Sequence, residues 1–383
     1  MREIEIEDLL GLDPSERVIL DIRPAETYRR GTIEGALNIP VNEIPERMPQ
    51  PEPEKTIYVL CHTGDQSADV AEELSEAGFR AINIKGGYRA FLKYQLAELM
   101  KAQDAQKEER AKIERSLIKK FRKNIWCKFT KGINEYEMIR DGDKIAVCIS
   151  GGKDSMLMAK LFQELQRHGR ANFELVFLIM NPGYNEENRR IIRDNAELLG
   201  IPLTVFHTDI FDTVASIDKN PCYLCARMHR GHLYSHAKEL GCNKIALGHH
   251  FDDVIETILM GMFYGGKVET MMPKLHSKNF DGMELIRPMY LIREEDIIAW
   301  RDYNRLCFIQ CACRFTENCI SCGGTQGSKR DEMKELITQL REKSEFIEMN
   351  IFRSVHNVNL KTIIGYHVDG KKYSFLDDYD ESS

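Results

Sequence analysis

The sequence predicts an α/β protein in two parts, a small α/β unit followed by a doubly wound parallel sheet. Three observations carry this. Short apolar runs alternate with amphipathic stretches that close on Gly. The alternation stops near residue 100, crosses a basic stretch without strand signals, and restarts. The second run holds a Gly-Gly-Lys loop between an apolar strand and a helix.

In the first part, residues 18–21 and 57–61 read as buried strands running into polar loops. Residues 67–77 read as a helix stopped by Gly78, and residues 80–84 as a short strand before Gly86-Gly87. Residues 101–132 are rich in helix formers. Strands are then expected at 144–149, 174–180, 203–207 and 244–247, and helices at 155–168, 186–199, 225–240 and 252–264. Such alternation implies a parallel sheet with ligands at the carboxyl ends of its strands. The expected organisation is a first domain over 1–100, a basic helical linker over 101–135, a larger domain over 136–345 and a C-terminal tail over 346–383 that is acidic from Phe375.

Bulk properties narrow the class. No apolar run reaches the roughly 18 residues of a spanning helix, so no membrane partner is expected. The N-terminal MREIEIEDLL lacks a signal-peptide core, and the expected location is the cytoplasm. Eleven cysteines in a reducing compartment point to metal or redox chemistry rather than disulfides. The net charge of −7 argues against nucleic-acid affinity over the whole surface. Its distribution is uneven. Residues 1–100 carry 11 Lys/Arg against 19 Asp/Glu, whereas residues 101–132 carry 11 against 4. A solvated linker helix explains that basic stretch, and so does a landing surface for RNA phosphates.

Ser150-Gly151-Gly152-Lys153-Asp154-Ser155 is the strongest motif. Consecutive glycines let backbone N–H groups point at an anion, and the helix start adds partial positive charge. The hydroxyls of Ser150 and Ser155 can bind phosphate oxygens, Lys153 can neutralise them, and Asp154 can hold Mg²⁺. The Walker spacing is absent. Gly248-His249-His250-Phe251-Asp252-Asp253 lies at the same predicted sheet edge, where its carboxylates can position Mg²⁺ or substrate. Helix capping by Asp252 explains the pair equally simply.

Cys222 and Cys225 open a helix, and Cys319 and Cys322 form a second pair with Cys311 and Cys313 nearby. Spacing alone allows a zinc site, an iron–sulfur cluster or a redox dithiol. In the first part, Cys61-His62-Thr63-Gly64-Asp65-Gln66-Ser67 connects a strand to a helix, a setting that favours anionic sulfur.

The loop at 150–155 resembles the PP-loop of the ATP pyrophosphatase superfamily. The stretches IKKFRKNI, DGDKIAVCISGGKDS, CYLCARMHRGHLY, KIALGHHFDDVIET, MFYGGK, PKL, IRPMYLIREEDI and ENCISCGGTQ resemble the tRNA 2-thiocytidine synthetase family. The resemblance implies ATP-dependent thiolation of cytidine at position 32 of tRNA, through adenylation by ATP and Mg²⁺. It implies nucleotide contacts from Ser150 to Ser155, Gly248 and His249, with Asp154, Asp252 and Asp253 at the chemistry. It also implies a [4Fe–4S] cluster on Cys222, Cys225 and Cys322. The extra CACRFTENC before that last cysteine departs from the family pattern and leaves Cys311 and Cys313 as competitors. Candidate tRNA contacts are Lys119, Lys120, Arg122 and Lys123, with Arg227 and Arg230. A homodimer is compatible with the family.

The first part resembles a single-domain rhodanese through Leu20-Asp21-Ile22-Arg23, Gly31 to Ala36, Asn38-Ile39-Pro40 and Gly86-Gly87-Tyr88. That resemblance makes Cys61 a persulfide carrier. His62 and Asp65 stand where such loops usually carry Arg, which points to a persulfide donor such as a cysteine desulfurase rather than an anionic one. The rival readings are uridine thiolation and a zinc-stabilised, ATP-binding sulfur-relay protein.

Overall fold

The computed structural model of the chain describes residues 2–15, 17–48, 55–169, 171–208, 221–309, 329–377 and 379, with only the backbone at 221–227. Cys311, Cys313, Cys319 and Cys322 lie outside the described residues, as do the side chains of Cys222, Cys225 and Arg227. Two compact units appear, Met1–Glu108 and Glu109–Ser383.

The first unit is a five-stranded, all-parallel sheet. Its strands are β1 (Glu3–Ile4), β2 (Arg17–Asp21), β3 (Leu37–Asn38), β4 (Thr56–Leu60) and β5 (Arg80–Ile84), in the order β1-β5-β4-β2-β3. Helices α1 (Ile6–Gly11), α2 (Ala25–Arg29), α3 (Ile44–Arg47) and α4 (Asp65–Glu76) connect them. Alternation along β2 sends Ile19 into one buried cluster and Leu20 into another. Burial on both faces is why these strands read as continuous apolar runs. The two-residue strands β1 and β3 are too short to leave such a signal.

Helix α5 (Gly87–Ile118) carries the chain from the first unit into the second. A turn of π-helix at Arg122–Trp126 and then α6 (Cys127–Glu135) follow. Here Ile113, Leu117, Phe121, Ile125, Phe129 and Ile133 are buried, one every four residues, in the largest core cluster. Lys119, Lys120, Arg122 and Lys123 are exposed. The basic stretch is thus one-sided, with an apolar stripe packed inward and its cations outward.

The second sheet runs β10-β11-β9-β6-β7-β8 and is parallel except for the β10–β11 pair. Its strands are β6 (Lys144–Ile149), β7 (Glu174–Asn181), β8 (Leu203–His207), β9 (Lys244–Ala246), β10 (Lys274–His276) and β11 (Glu284–Ile286). Helices α7 (Lys153–His168), α8 (Glu186–Leu199), α9 (Pro221–Glu239), α10 (Phe251–Gly265) and α11 (Glu294–Tyr303) cover it. Along β6, Ile145, Val147 and Ile149 enter the large cluster, while Ala146 and Cys148 face a smaller one.

Further on lie α12 (Lys329–Lys343), α13 (Ile347–Ser354) and a hairpin of β12 (Gly365–Val368) and β13 (Lys371–Ser374). The stretch expected as a tail therefore contains ordered elements. Phe352 anchors it, with ring centroids 5.0 Å from Phe251 and 5.6 Å from Tyr290. Met349, Ile351 and Val355 pack against the same core beside Phe352, so this segment is an amphipathic helix rather than a tail.

Phe129 is fully buried, edge-on to Phe162 at 5.7 Å. Phe129→Ala should cost about 3–5 kcal/mol in denaturant unfolding. A loss below about 1 kcal/mol would return this stretch to a solvated linker.

Candidate functional site

The turn from β6 into α7 is built on Gly151. Its φ is +85°, and a Cβ there would lie 2.6 Å from Ile192 and 2.8 Å from Ile309. Only glycine satisfies both the conformation and the close approach. The loop is braced from within. Ser150 N–H donates to Ser155 Oγ at 3.1 Å, and Ser155 Oγ–H donates to Gly152 O at 3.0 Å. The next strand end closes against it, since a Cβ on Gly248 would come within 3.4 Å of Ser155 N and 3.5 Å of the Asp154 carbonyl carbon. The two predicted motifs therefore meet at one sheet edge.

Lys153 Nζ is shared between Asp154 Oδ2 at 3.1 Å and Glu294 Oε1 at 2.9 Å. Burial opposes its charge, but both carboxylates outweigh that and raise its pKa. Glu294 also reaches Lys334 on α12 at 3.3 Å. Burial works against the charged form of Glu294, and Lys153 overcomes it, so its pKa is lowered. Asp154 Oδ1 is buried and has no hydrogen-bond partner.

Asp252 does not cap helix α10. The helix begins at Phe251, so His250 is the capping residue, and its N–H donates to Asp253 Oδ2 at 3.0 Å. Asp252 Oδ2 instead accepts from Glu294 N–H at 2.6 Å. Asp253 Oδ1 accepts from Arg330 at 3.2 Å. His250 is buried 3.5 Å from Asp252 and 3.6 Å from Asp253. Burial disfavours its imidazolium, but Asp252, Asp253 and Asp154 outweigh it, and the pKa is raised. Its neighbour His249 is pushed down to about 4 by burial and stays neutral. Glu256, nearly fully buried, is pushed up to about 7 by burial, against the pull of Lys334 and Arg330.

Sequence reasoning missed Glu294, Glu256, Arg330 and Lys334. Glu294 stands in IRPMYLIREEDI, and its place in the first turn of a helix was the available signal. The others become neighbours only through the packing of α12 on α10. Cys222 and Cys225 stand near the start of α9, three residues apart. On the same unit, Lys120 Nζ lies 3.6 Å from the Tyr303 ring centroid, and Arg230 is exposed.

In the first unit, Cys61 follows β4 and is buried. Gly64 N–H donates to its Sγ at 3.0 Å, and Ser67 Oγ lies 3.1 Å away. Tyr88 N–H donates to Cys61 O at 2.8 Å. Gly87, at φ +57°, leaves no room for a Cβ, which would sit 2.5 Å from Cys61 O. Asp65 is exposed and accepts from Thr63 Oγ1–H at 2.7 Å.

A parallel sheet with an anion loop at its carboxyl edge and two carboxylates facing it defines the PP-loop class of nucleotide-using proteins. The family model for the PP-loop domain matches residues 118–313, and that for the rhodanese-like domain matches residues 5–94. A tRNA-cytidine(32) 2-sulfurtransferase from Alcanivorax borkumensis is 36% identical over 251 residues, covering 64% of this chain and 84% of that one. The protein of the same name from Vibrio cholerae is 36% identical over 262 residues, covering 66% and 80%. The chain belongs to this tRNA-cytidine 2-sulfurtransferase family, with a rhodanese-like domain at its N-terminal end. Among solved structures, the U34-tRNA thiolase from Methanococcus maripaludis with its [4Fe–4S] cluster is 22% identical at a TM-score of 0.48, covering 60% of this chain and 76% of that one. A rhodanese-like domain protein from Staphylococcus aureus is 32% identical at a TM-score of 0.23, covering 24% and 90%. No helix among the described residues is long and apolar enough to cross a membrane.

Glu256 has a clear linkage sign. Its folded pKa of about 7 lies above the ordinary 4.5, so the stability it contributes is complete below pH 4.5 and is lost as pH rises through 7. Glu256→Gln should flatten the pH dependence of unfolding in that window by up to about 1.4 kcal/mol per pH unit. An unaltered profile would place the proton elsewhere.

Proposed function

We propose that the chain thiolates C2 of cytidine 32 in tRNA, using ATP to activate the leaving oxygen. The observation that carries this reading is the Ser150–Ser155 loop closed by Gly248, in a chain of this family. The C2 oxygen of cytosine leaves poorly by itself. Transfer of AMP to it, with release of pyrophosphate, makes it a leaving group that sulfur can displace.

The nucleotide contacts are Ser150 to Ser155, Gly248 and His249. Loop N–H groups and the start of α7 receive the phosphates. Lys153 exchanges Glu294 for a phosphate oxygen. The free Oδ1 of Asp154 fits a hard cation, which is the support for Mg²⁺. Among the described residues no cluster of three or more His, Cys, Asp or Glu is arranged to hold a metal. Asp154 would thus share Mg²⁺ with phosphate oxygens and water, its usual company. Asp252 and Asp253 raise the pKa of His250 against its burial and orient it beside the loop.

Cys222, Cys225 and Cys322 would hold a [4Fe–4S] cluster, and three ligands leave one iron able to accept sulfide. Cys222 stands in the first turn of α9, a position that favours thiolate and suits that role. Cys61 carries sulfur as a persulfide received from a donor such as a cysteine desulfurase. The tRNA lands on Lys119, Lys120, Arg122 and Lys123, with Arg227 and Arg230 on the helix that bears Cys222 and Cys225. The setting is cytoplasmic, and a homodimer suits the family.

Anaerobically purified protein given ATP, Mg²⁺, a sulfide source and unmodified tRNA should yield 2-thiocytidine by nucleoside mass analysis. Asp154→Asn should lower that yield about 100-fold or more. Formation of 2-thiouridine in place of 2-thiocytidine would overturn the substrate assignment.

Reversing the charge of Lys119, Lys120, Arg122 and Lys123 together should weaken tRNA binding and flatten its dependence on salt. Binding that keeps its affinity and salt slope would leave those cations as ordinary solvated surface.

A further inference from the structure

Arg287 stands at the carboxyl edge of the larger sheet, and half of its guanidinium is unused. Strand β11 pairs in parallel with β9, Ile286 opposite Ala246, and Leu247 N–H donates to Ile286 O at 3.0 Å. The two chains leave the sheet side by side. Arg287 therefore emerges beside Gly248 and His249, about 4.8 Å away by the ordinary strand spacing. Its backbone is clamped, since its N–H donates to Pro273 O at 2.9 Å and its carbonyl accepts from Tyr290 N–H at 3.1 Å. Nη1 donates to Met272 O, which fixes the plane of the guanidinium.

The Nε side of that plane has nothing to hold. Nε is buried without a hydrogen-bond partner, and among the described residues Arg287 forms no ion pair. An arginine this far from solvent normally has a carboxylate, because an unpaired buried charge is costly. Burial pushes its pKa down to about 10, with Tyr290, Tyr234 and Asp253 supporting the charge. At neutral pH it is still a cation that can only donate. His249 Nδ1 is likewise buried and unpartnered at this edge.

Nε and Nη2 are the edge with which Arg23 grips Asp21 in the first unit, at 2.9 and 2.6 Å. Such an edge reads two acceptors lying side by side. Here an anion would meet the charge of Asp253, and a neutral group would not. Cytosine presents O2 and N3 as adjacent acceptors. Uracil presents O2 and an N3–H, which sets a donor against a donor. Unstacked RNA bases are read on this same edge.

We infer that Arg287 is a specificity-determining residue that selects cytidine over uridine, by donating from Nε and Nη2 to O2 and N3 of the target base. The inference rests on the reading of the chain as a cytidine thiolase and names how that site chooses its base. O2 has a second lone pair, which stays free for the α-phosphorus of ATP. A uridine would leave the buried N–H of Arg287 facing N3–H, with no acceptor for either.

The test is competition between two unmodified tRNAs that differ only at position 32, C or U. Anaerobic full-length protein is given ATP, Mg²⁺ and sulfide, and nucleoside mass analysis counts 2-thiocytidine and 2-thiouridine. Arg287→Gln offers an amide whose N–H suits O2 and whose carbonyl suits N3–H, the pattern of uridine. Its preference for C over U in kcat/KM should fall by about ten-fold or more. Arg287→Lys keeps the cation without the fork and serves if the Gln variant does not fold. Its preference should also fall by about ten-fold, with KM for ATP unchanged. An equal loss on both tRNAs would make Arg287 a structural or phosphate-binding residue and would overturn the inference, as would an unchanged preference. The wild type tests the underlying reading by itself. If it makes no 2-thiocytidine from the C32 tRNA, that reading has failed, whatever the variants show.

Discussion

The left-handed turn at Gly151 is the constraint on which the carboxyl edge of the larger sheet depends. It lets the chain leave β6 and enter α7 at once, so the backbone N–H groups of the loop and the helix start point to one place. Ile192 and Ile309 close on the missing Cβ and fix the loop from below. With the loop fixed, Gly248 can approach it, and Asp252, Asp253 and His250 come to the same edge. None of these groups would face one another if the turn were wider.

Charge balance at that edge decides what the site can do. A buried histidine whose pKa is raised, a half-buried lysine and several carboxylates stand side by side, so each supports its neighbour's charge against desolvation. Glu256 is the exception, since Lys334 and Arg330 pull less on it than burial pushes. The loop lysine is already paired before any phosphate arrives. Binding an anionic nucleotide there is an exchange of partners rather than the filling of a bare cation.

The smaller unit solves a related problem around sulfur. Asp21 and Arg23 form a buried pair at 2.6 Å, with Thr32 Oγ1–H donating to Asp21 at 2.7 Å and Arg23 donating to Gly31 O at 2.8 Å. Arg23 also lies 3.8 Å from the ring centroid of Tyr88, whose N–H holds the Cys61 carbonyl. A fully satisfied ion pair of this kind fixes geometry more than it adds stability. It secures one side of the cysteine loop, and a chain of hydrogen bonds from Ser67 through Asn83 to Glu3 secures the other.

Much of this was legible in the sequence. Strands buried on both faces announce themselves as apolar runs, which is why β5 and β6 fall where periodicity places them. Ser150 to Ser155 and Gly248 to Asp253 stood out because loop chemistry is local and needs particular residues in series. The sequence by itself therefore determined the two α/β units, the phosphate loop and the cysteine loop. Tertiary structure alone decided that His250 rather than Asp252 caps α10, that Glu294 pairs with Lys153, and that Glu3 reaches Asn83 across 80 residues of chain. Those are contacts between elements, and the sign and burial of a charge depend on which elements pack together. A linear pattern records what a segment prefers to become, but not which distant side chain will neutralise it.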